Sequence, residues 1–129
     1  LASWTESADP GIKYFSGTAK YTKVFELEKN DGRCELDLGG VCNIAEVVLN
    51  GKHLRTLWRA PFRLDVTEEL KPGLNKLEIY VTNLWPNRRI GDEQPGVKQR
   101  ITCTTWPFYK ADDPLLVSGL LGPVRLLSD

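Results

Sequence analysis

The chain has no methionine, a single histidine (His53), three cysteines and no net charge, with 17 basic residues against 17 acidic ones. Each shortage closes off a class of function. Zero net charge removes the long-range field on which phosphate backbones depend, so nucleic acid is not expected as a partner. No apolar run approaches the roughly 20 residues needed to cross a bilayer, and the first fifteen residues lack the basic start and apolar core of a signal segment, so no membrane contact is expected. With one imidazole and no Cys-x-x-Cys pair, zinc-ligand spacing is missing. Gly-x-Ser-x-Gly is also missing, and His53, just after a turn, reads as an exposed imidazole rather than a catalytic base. Gly39-Gly40 ends a strand with no phosphate-loop lysine near it. A chain without Met, even at position 1, is expected to be an excised or processed module.

What is present is alternation. Ala45, Val47 and Leu49 share one parity while Glu46 and Asn50 share the other, and the run enters Asn50-Gly51. That pair tolerates the positive φ angles of a type I′ turn, so the chain should reverse there and return antiparallel through His53 to Leu57. Leu77, Ile79 and Val81 alternate with Glu78, Tyr80 and Thr82. Positions 18 to 28 alternate too, except that Lys23 falls on the apolar face, where it either snorkels or marks a bulge. Asn30-Asp31-Gly32 reads as a turn into a strand carrying Cys34, Leu36 and Leu38. Arg63 to Val66 predicts another strand, Thr67 to Leu70 a helical turn capped by Thr67, and Val124 with Leu126 a closing strand. Strands spaced by roughly ten residues with turn chemistry between them favour an antiparallel sandwich over a βαβ fold. At 129 residues and 41% hydrophobic content, one domain with one core is expected, with positions 1–13 as a linker remnant.

The order of these segments carries a resemblance. Gly17-Thr18-Ala19-Lys20-Tyr21, the Asn50-Gly51 hairpin, Pro61 to Thr67 and Pro72 to Val81 together resemble the sugar-binding-like, or galactose-binding-like, jelly-roll domain of family 2 glycoside hydrolases. Asn83-Leu84-Trp85-Pro86-Asn87-Arg88-Arg89-Ile90-Gly91-Asp92, with Ser118 to Val124, is similar to the C-terminal β-sandwich of large bacterial rhamnosidase-type glycoside hydrolases. The resemblance spans roughly positions 14 to 127. It implies an all-β, antiparallel jelly-roll β-sandwich that accompanies a separate catalytic domain in the parent chain. It also implies a periplasmic or secreted parent acting on polysaccharide.

The segment from Asn83 to about Leu116 departs from the strand rhythm, interrupted by Pro86, Pro95, Pro107 and Pro114. Its aromatic content argues for order, and Val97 to Thr105 is a candidate strand. Sugar recognition needs flat aromatic faces and planar polar groups. Trp58, Trp85, Trp106 and Tyr109 offer the first, and Asn83, Asn87, Arg88, Arg89 and Asp92 the second. The candidate carbohydrate-binding rim is therefore Trp58, Trp85, Asn87, Arg88, Arg89 and Asp92. Against it stands a structural reading: Trp85 anchors the loop in the core, Arg88 or Arg89 pairs with Asp92, and Gly91 supplies a backbone angle. A third reading puts Asn87-Arg88-Arg89 against the catalytic domain, since Arg and Trp are common interface anchors. Trp58 is either a platform or a buried rim contact.

Catalysis by the chain itself is not expected. Asp92, Glu93, Asp112 and Asp113 lie in the irregular region but form no known carboxylate motif. No cofactor is expected, although a structural calcium held by Asp9, Asp92, Asp112 and Asp113 is an alternative to four solvated acids. The odd cysteine count leaves at least one thiol outside any internal pair. Cys34 reads as a small buried apolar residue, and a Cys34–Cys42 bridge stays open.

Overall fold

Side-chain parity decides which face of each strand meets the core, and here it is obeyed almost throughout. The computed structural model describes residues 1–29 and 32–129, so the expected Asn30-Asp31-Gly32 turn lies partly outside the described residues. The strands are β1 (Thr18–Leu27), β2 (Cys34–Asp37), β3 (Gly40–Cys42), β4 (Ile44–Leu49), β5 (Lys52–Leu57), β6 (Arg63–Asp65), β7 (Gly73–Thr82), β8 (Gly119–Gly122) and β9 (Arg125–Ser128). A four-stranded sheet runs β1-β7-β4-β5, a three-stranded sheet β6-β2-β9, and β3 pairs with β8. All these strand pairs are antiparallel. One apolar core draws on all three sheets, with Ala45, Val47, Leu49, Leu77, Ile79 and Val81 meeting Leu36, Leu38, Val41, Leu64 and Leu120. The result is the all-β, antiparallel sandwich that the alternation predicts.

The hairpin forms where expected. Asn50 has φ 52° and Gly51 φ 82°, the two left-handed residues of the tight turn, and Leu49 faces Lys52 across it. The Asn50 side chain does more than turn. Its amide donates to Glu69 O and Asn75 Oδ1 at 2.9 Å each, and its Oδ1 accepts from Lys76 N at 2.9 Å. Asn75, 1% exposed, in turn donates to Lys71 O and Gly73 O and accepts from Lys71 N. Two side-chain amides thus fix where β7 begins.

Several expectations change. Lys23 marks no bulge: β1 pairs with β7 in unbroken register from Thr18↔Thr82 to Leu27↔Gly73. The lysine stays exposed at the mouth of an apolar groove lined by Tyr21, Leu77, Ile79 and Leu120. Thr67 does not cap the turn after β6; Asp65 Oδ1 accepts from Thr67 N and Oγ1, and Thr67 Oγ1 accepts from Cys34 N. Val124 lies outside β9, which starts at Arg125. Val97 to Thr105 forms no strand.

The first thirteen residues, expected as a linker remnant, instead fold onto the domain. Trp4, in a short 3-10 turn (Trp4–Glu6), is 9% exposed and donates through Nε1 to Tyr21 Oη at 2.6 Å. Its backbone amide donates to Ser118 O, and its ring meets Phe15 edge-on at 5.4 Å. Helix α1 (Pro10–Lys13) follows, capped by Asp9. Gly119, at φ 101°, lies so close to Trp4 that a Cβ there would sit 2.5 Å from Nε1. No disulfide joins the described cysteines: Cys34 is buried, Cys42 half-buried and Cys103 exposed.

Asn50→Ala removes three hydrogen bonds and leaves Asn75 partly unsatisfied in the interior. The expected cost is about 2–3 kcal/mol in urea unfolding, and a change under about 0.5 kcal/mol would contradict this role.

Candidate functional site

Register places the candidate residues at one end of the four-stranded sheet. Thr18 pairs with Thr82, Thr82 with Ile44, and Ala45 with Leu57, so Gly17, Asn83, Asn43 and Trp58 all leave the sheet from the same edge. From there the chain enters helix α2 (Pro86–Asp92), with Pro86 in its first turn, where no intrahelical N–H is needed. The helix was not expected, because Pro86 reads in sequence as an interruption.

The helix turns its polar side chains inward. Asn87 is 1% exposed: its amide donates to Leu116 O at 2.7 Å and Ser118 Oγ at 2.8 Å, and its Oδ1 accepts from Leu116 N at 2.8 Å. Asn83 donates to Phe15 O and Ser118 Oγ and accepts from Gly17 N. Ser118 N donates to Ser3 Oγ. These bonds join α2, the return of the long segment and the N-terminal turn.

Asp92, 3% exposed, holds the other side of that segment. Its Oδ2 accepts from Thr102 N at 2.8 Å and Thr102 Oγ1 at 2.5 Å, while Arg88 Nη2 lies 3.1 Å from Oδ1. Arg89 donates to the same Thr102 hydroxyl at 3.0 Å. Burial pushes the Asp92 carboxyl up, but the Thr102 hydroxyl and amide, the Ile101 amide and the Arg88 charge outweigh it and hold it below the usual value. The Arg88–Asp92 pairing of the structural reading is present. Gly91 serves differently: it is helical, and a Cβ there would meet the Tyr14 Cβ at 2.5 Å, so the requirement is close packing rather than a backbone angle.

Of the six rim residues, then, Asn87, Arg89 and Asp92 are spent on the interior and Arg88 is mostly so. The two tryptophans go the other way. Trp85 is 75% exposed, so it does not anchor the loop in the core, and Trp58, 68% exposed, is no buried rim contact. They line separate depressions. Trp85 borders one of about 510 Å3 with Phe15, Ser16, Arg88 and Ile101, where the Ser16 hydroxyl is already bonded to Leu84 O and Arg88 N. Trp58 borders another with Arg55, Arg59 and Arg63. Trp106 and Phe108 project from the long segment, and Ile101 is 74% exposed.

The acids have partners of their own. Asp9 caps α1, Glu93 pairs with Arg100 at 3.0 Å, and Asp113 accepts from Lys110 N. Among the described residues no three His, Cys, Asp or Glu side chains gather as a metal would require, so the calcium set of Asp9, Asp92, Asp112 and Asp113 does not assemble. His53 is exposed and lies 3.2 Å from Glu46. Sequence reasoning missed Thr102, Ser118 and Ser3, whose bonds to Asp92, Asn87 and Ser118 span at least ten residues and leave no local pattern.

Comparison with known proteins fits this geometry. The family described as glycosyl hydrolase 2 galactose-binding domain-like matches residues 12–113. A putative β-glucuronidase of Formosa agariphila is 48% identical over 98% of this chain, which corresponds to 13% of that protein. A solved rhamnosidase from Novosphingobium superimposes with a TM-score of 0.92 at 50% identity, over 98% of this chain and 12% of that one. A β-glucuronidase from Lactobacillus rhamnosus gives a TM-score of 0.58 at 25% identity over 64% of this chain. The chain spans only a small part of the length of each relative.

Asp92→Asn leaves Arg88 facing a neutral partner and is expected to cost about 2–3 kcal/mol at pH 7. Because the folded carboxyl is held below its ordinary value of 3.8, its contribution is present above that pH and lost as the pH falls through the folded value. The variant should therefore show a shallower loss of stability than wild type below about pH 4. Parallel curves would contradict the account.

Proposed function

The chain belongs to the galactose-binding-like domains of glycosyl hydrolase family 2, and from that we propose that it is a non-catalytic accessory module of a larger glycoside hydrolase. It packs against the catalytic domain through the segment from Trp85 to Val117. The observation that carries this reading is an inversion of what a sugar site needs. Asn87, Arg89 and Asp92 are at most 7% exposed, while Trp85, Ile101, Trp106 and Phe108 are at least 65% exposed. Polar groups already bonded inside have little left to offer sugar hydroxyls. An apolar surface held in place by buried hydrogen bonds suits a protein partner, where aromatic anchors carry most of the energy.

Carbohydrate is then a partner of the whole enzyme first. The engagement of the candidate acids supports a non-catalytic role: glycoside hydrolysis asks for two carboxyl groups facing a substrate, whereas Asp92 is buried and bonded to Thr102 and Glu93 pairs with Arg100. A periplasmic or secreted location for the parent is part of this reading. No helix among the described residues is long and apolar enough to cross a membrane.

Trp106→Ala with Phe108→Ala tests the packing role. In the isolated chain the double variant should stay within about 0.5 kcal/mol of wild type, as exposed substitutions do. In the parent enzyme the same change should lower the melting temperature by several degrees and open the boundary of this domain to protease. Equal behaviour of variant and wild-type parent would refute the packing role.

A further inference from the structure

The depression beside Trp58 differs in chemistry from the rest of the surface. Arg55, Arg59 and Arg63 follow one another at intervals of four residues and line the same open hollow, about 450 Å3, at the connection from β5 to β6. Among the described residues no carboxylate lines it. The acids that pair with Arg63 or line the adjoining hollow with Arg55 are engaged: Asp37 lies 2.9 Å and Glu35 3.7 Å from Arg63, Asp65 lies 3.0 Å from Arg33, and Glu69 pairs with Lys52. Among the described residues neither Arg55 nor Arg59 makes an ion pair. In a chain of zero net charge this is a local separation of charge, not a reflection of overall basicity.

The aromatic element is placed to match. Arg59 stacks over the Trp58 ring, with Cζ 5.2 Å from the centroid, so one indole face is backed by a cation and the ring remains 68% exposed. Arg55 stands opposite Val47 in the sheet register, which puts it on the core-facing side of an edge strand, where its side chain reaches the hollow between the sheets. An exposed flat ring flanked by uncompensated guanidinium forks is suited to a ligand with an apolar face and an anionic group. A pyranose bearing a carboxylate or a sulfate ester has both.

We infer that the Trp58 hollow is a binding site for an acidic sugar unit of a polysaccharide, with the indole under the ring and Arg55 and Arg59 on the anion. The site lies apart from the apolar segment of the packing reading and does not depend on it. A single-stranded nucleic acid would also offer flat rings and anions. It is disfavoured, because tracking a phosphate backbone requires a continuous basic groove, whereas here three arginines line one hollow in a chain of zero net charge.

The test is a tryptophan-fluorescence titration of the 129-residue chain with four probes: oligogalacturonate for the carboxylate, carrageenan oligosaccharides for the sulfate ester, neutral xylooligosaccharides, and a single-stranded oligonucleotide. At least one acidic glycan should bind, with the neutral glycan and the oligonucleotide at least about tenfold weaker. Which acidic probe wins identifies the anion. Trp58→Ala and the double variant Arg55→Gln/Arg59→Gln should each weaken binding at least about tenfold with unchanged melting temperature, whereas Lys98→Gln, which removes a charge elsewhere, should not. The proposal is overturned if neither acidic glycan binds, if the neutral glycan or the oligonucleotide binds as tightly, or if binding survives both the Trp58 and the arginine substitutions.

Discussion

Buried polar groups must find partners, and at one end of this sandwich that requirement organises everything outside the sheets. Asn83, Asn87 and Ser118 lie in the interior, where an unsatisfied amide or hydroxyl costs on the order of 1–3 kcal/mol. They satisfy one another, and in doing so they bring together the end of β7, helix α2, the residues entering β8 and the N-terminal turn at Ser3. Asp92 and Thr102 make a second tie on the far side of the helix. Between these two points a segment with little regular structure is given a defined path, and its aromatic side chains are left facing out.

The parts of the fold legible in the sequence are those set by neighbours two residues apart or by a single turn. β4, β5 and β7 alternate cleanly, and Asn50-Gly51 states its own backbone angles. The less legible parts depend on distant partners. β3 is three residues long and opens on glycine, and β8 is bounded by Gly119 and Gly122, so both look like turns until the facing strand is known. Helix α2 begins at a proline that helices accept only in their first turn, and its apolar content is one residue, Ile90, among buried polar ones. Periodicity cannot find a helix whose inner face is Asn, Arg and Asp. Trp4 was hidden for a similar reason: an isolated tryptophan among polar residues carries no period, and its place in the core comes from Tyr21 and Gly119, far along the chain.

The candidate site was legible in composition and not in orientation. Asn, Arg and Asp beside tryptophan are the materials of sugar recognition, but the same residues are the materials of a buried polar knot. Sequence does not say which way a side chain points when its partner is Leu116 or Thr102. Trp58 proves exposed, and the arginines at 55, 59 and 63 beside it were not read from the sequence as a group. Neutral overall charge concealed them, since 17 acids elsewhere balance the sum without balancing the surface.

Hydrogen exchange on the isolated chain tests the buried tie most directly, because three amides in the long segment depend on it alone. Leu116 N donates to Asn87 Oδ1, Ser118 N to Ser3 Oγ, and Thr102 N to Asp92 Oδ2, all of them outside any strand. These amides should be protected to a degree approaching the central strand β7, while their neighbours in the same segment exchange quickly. Exchange of all three at the rate of an open loop would contradict the claim that buried side chains hold this segment in place.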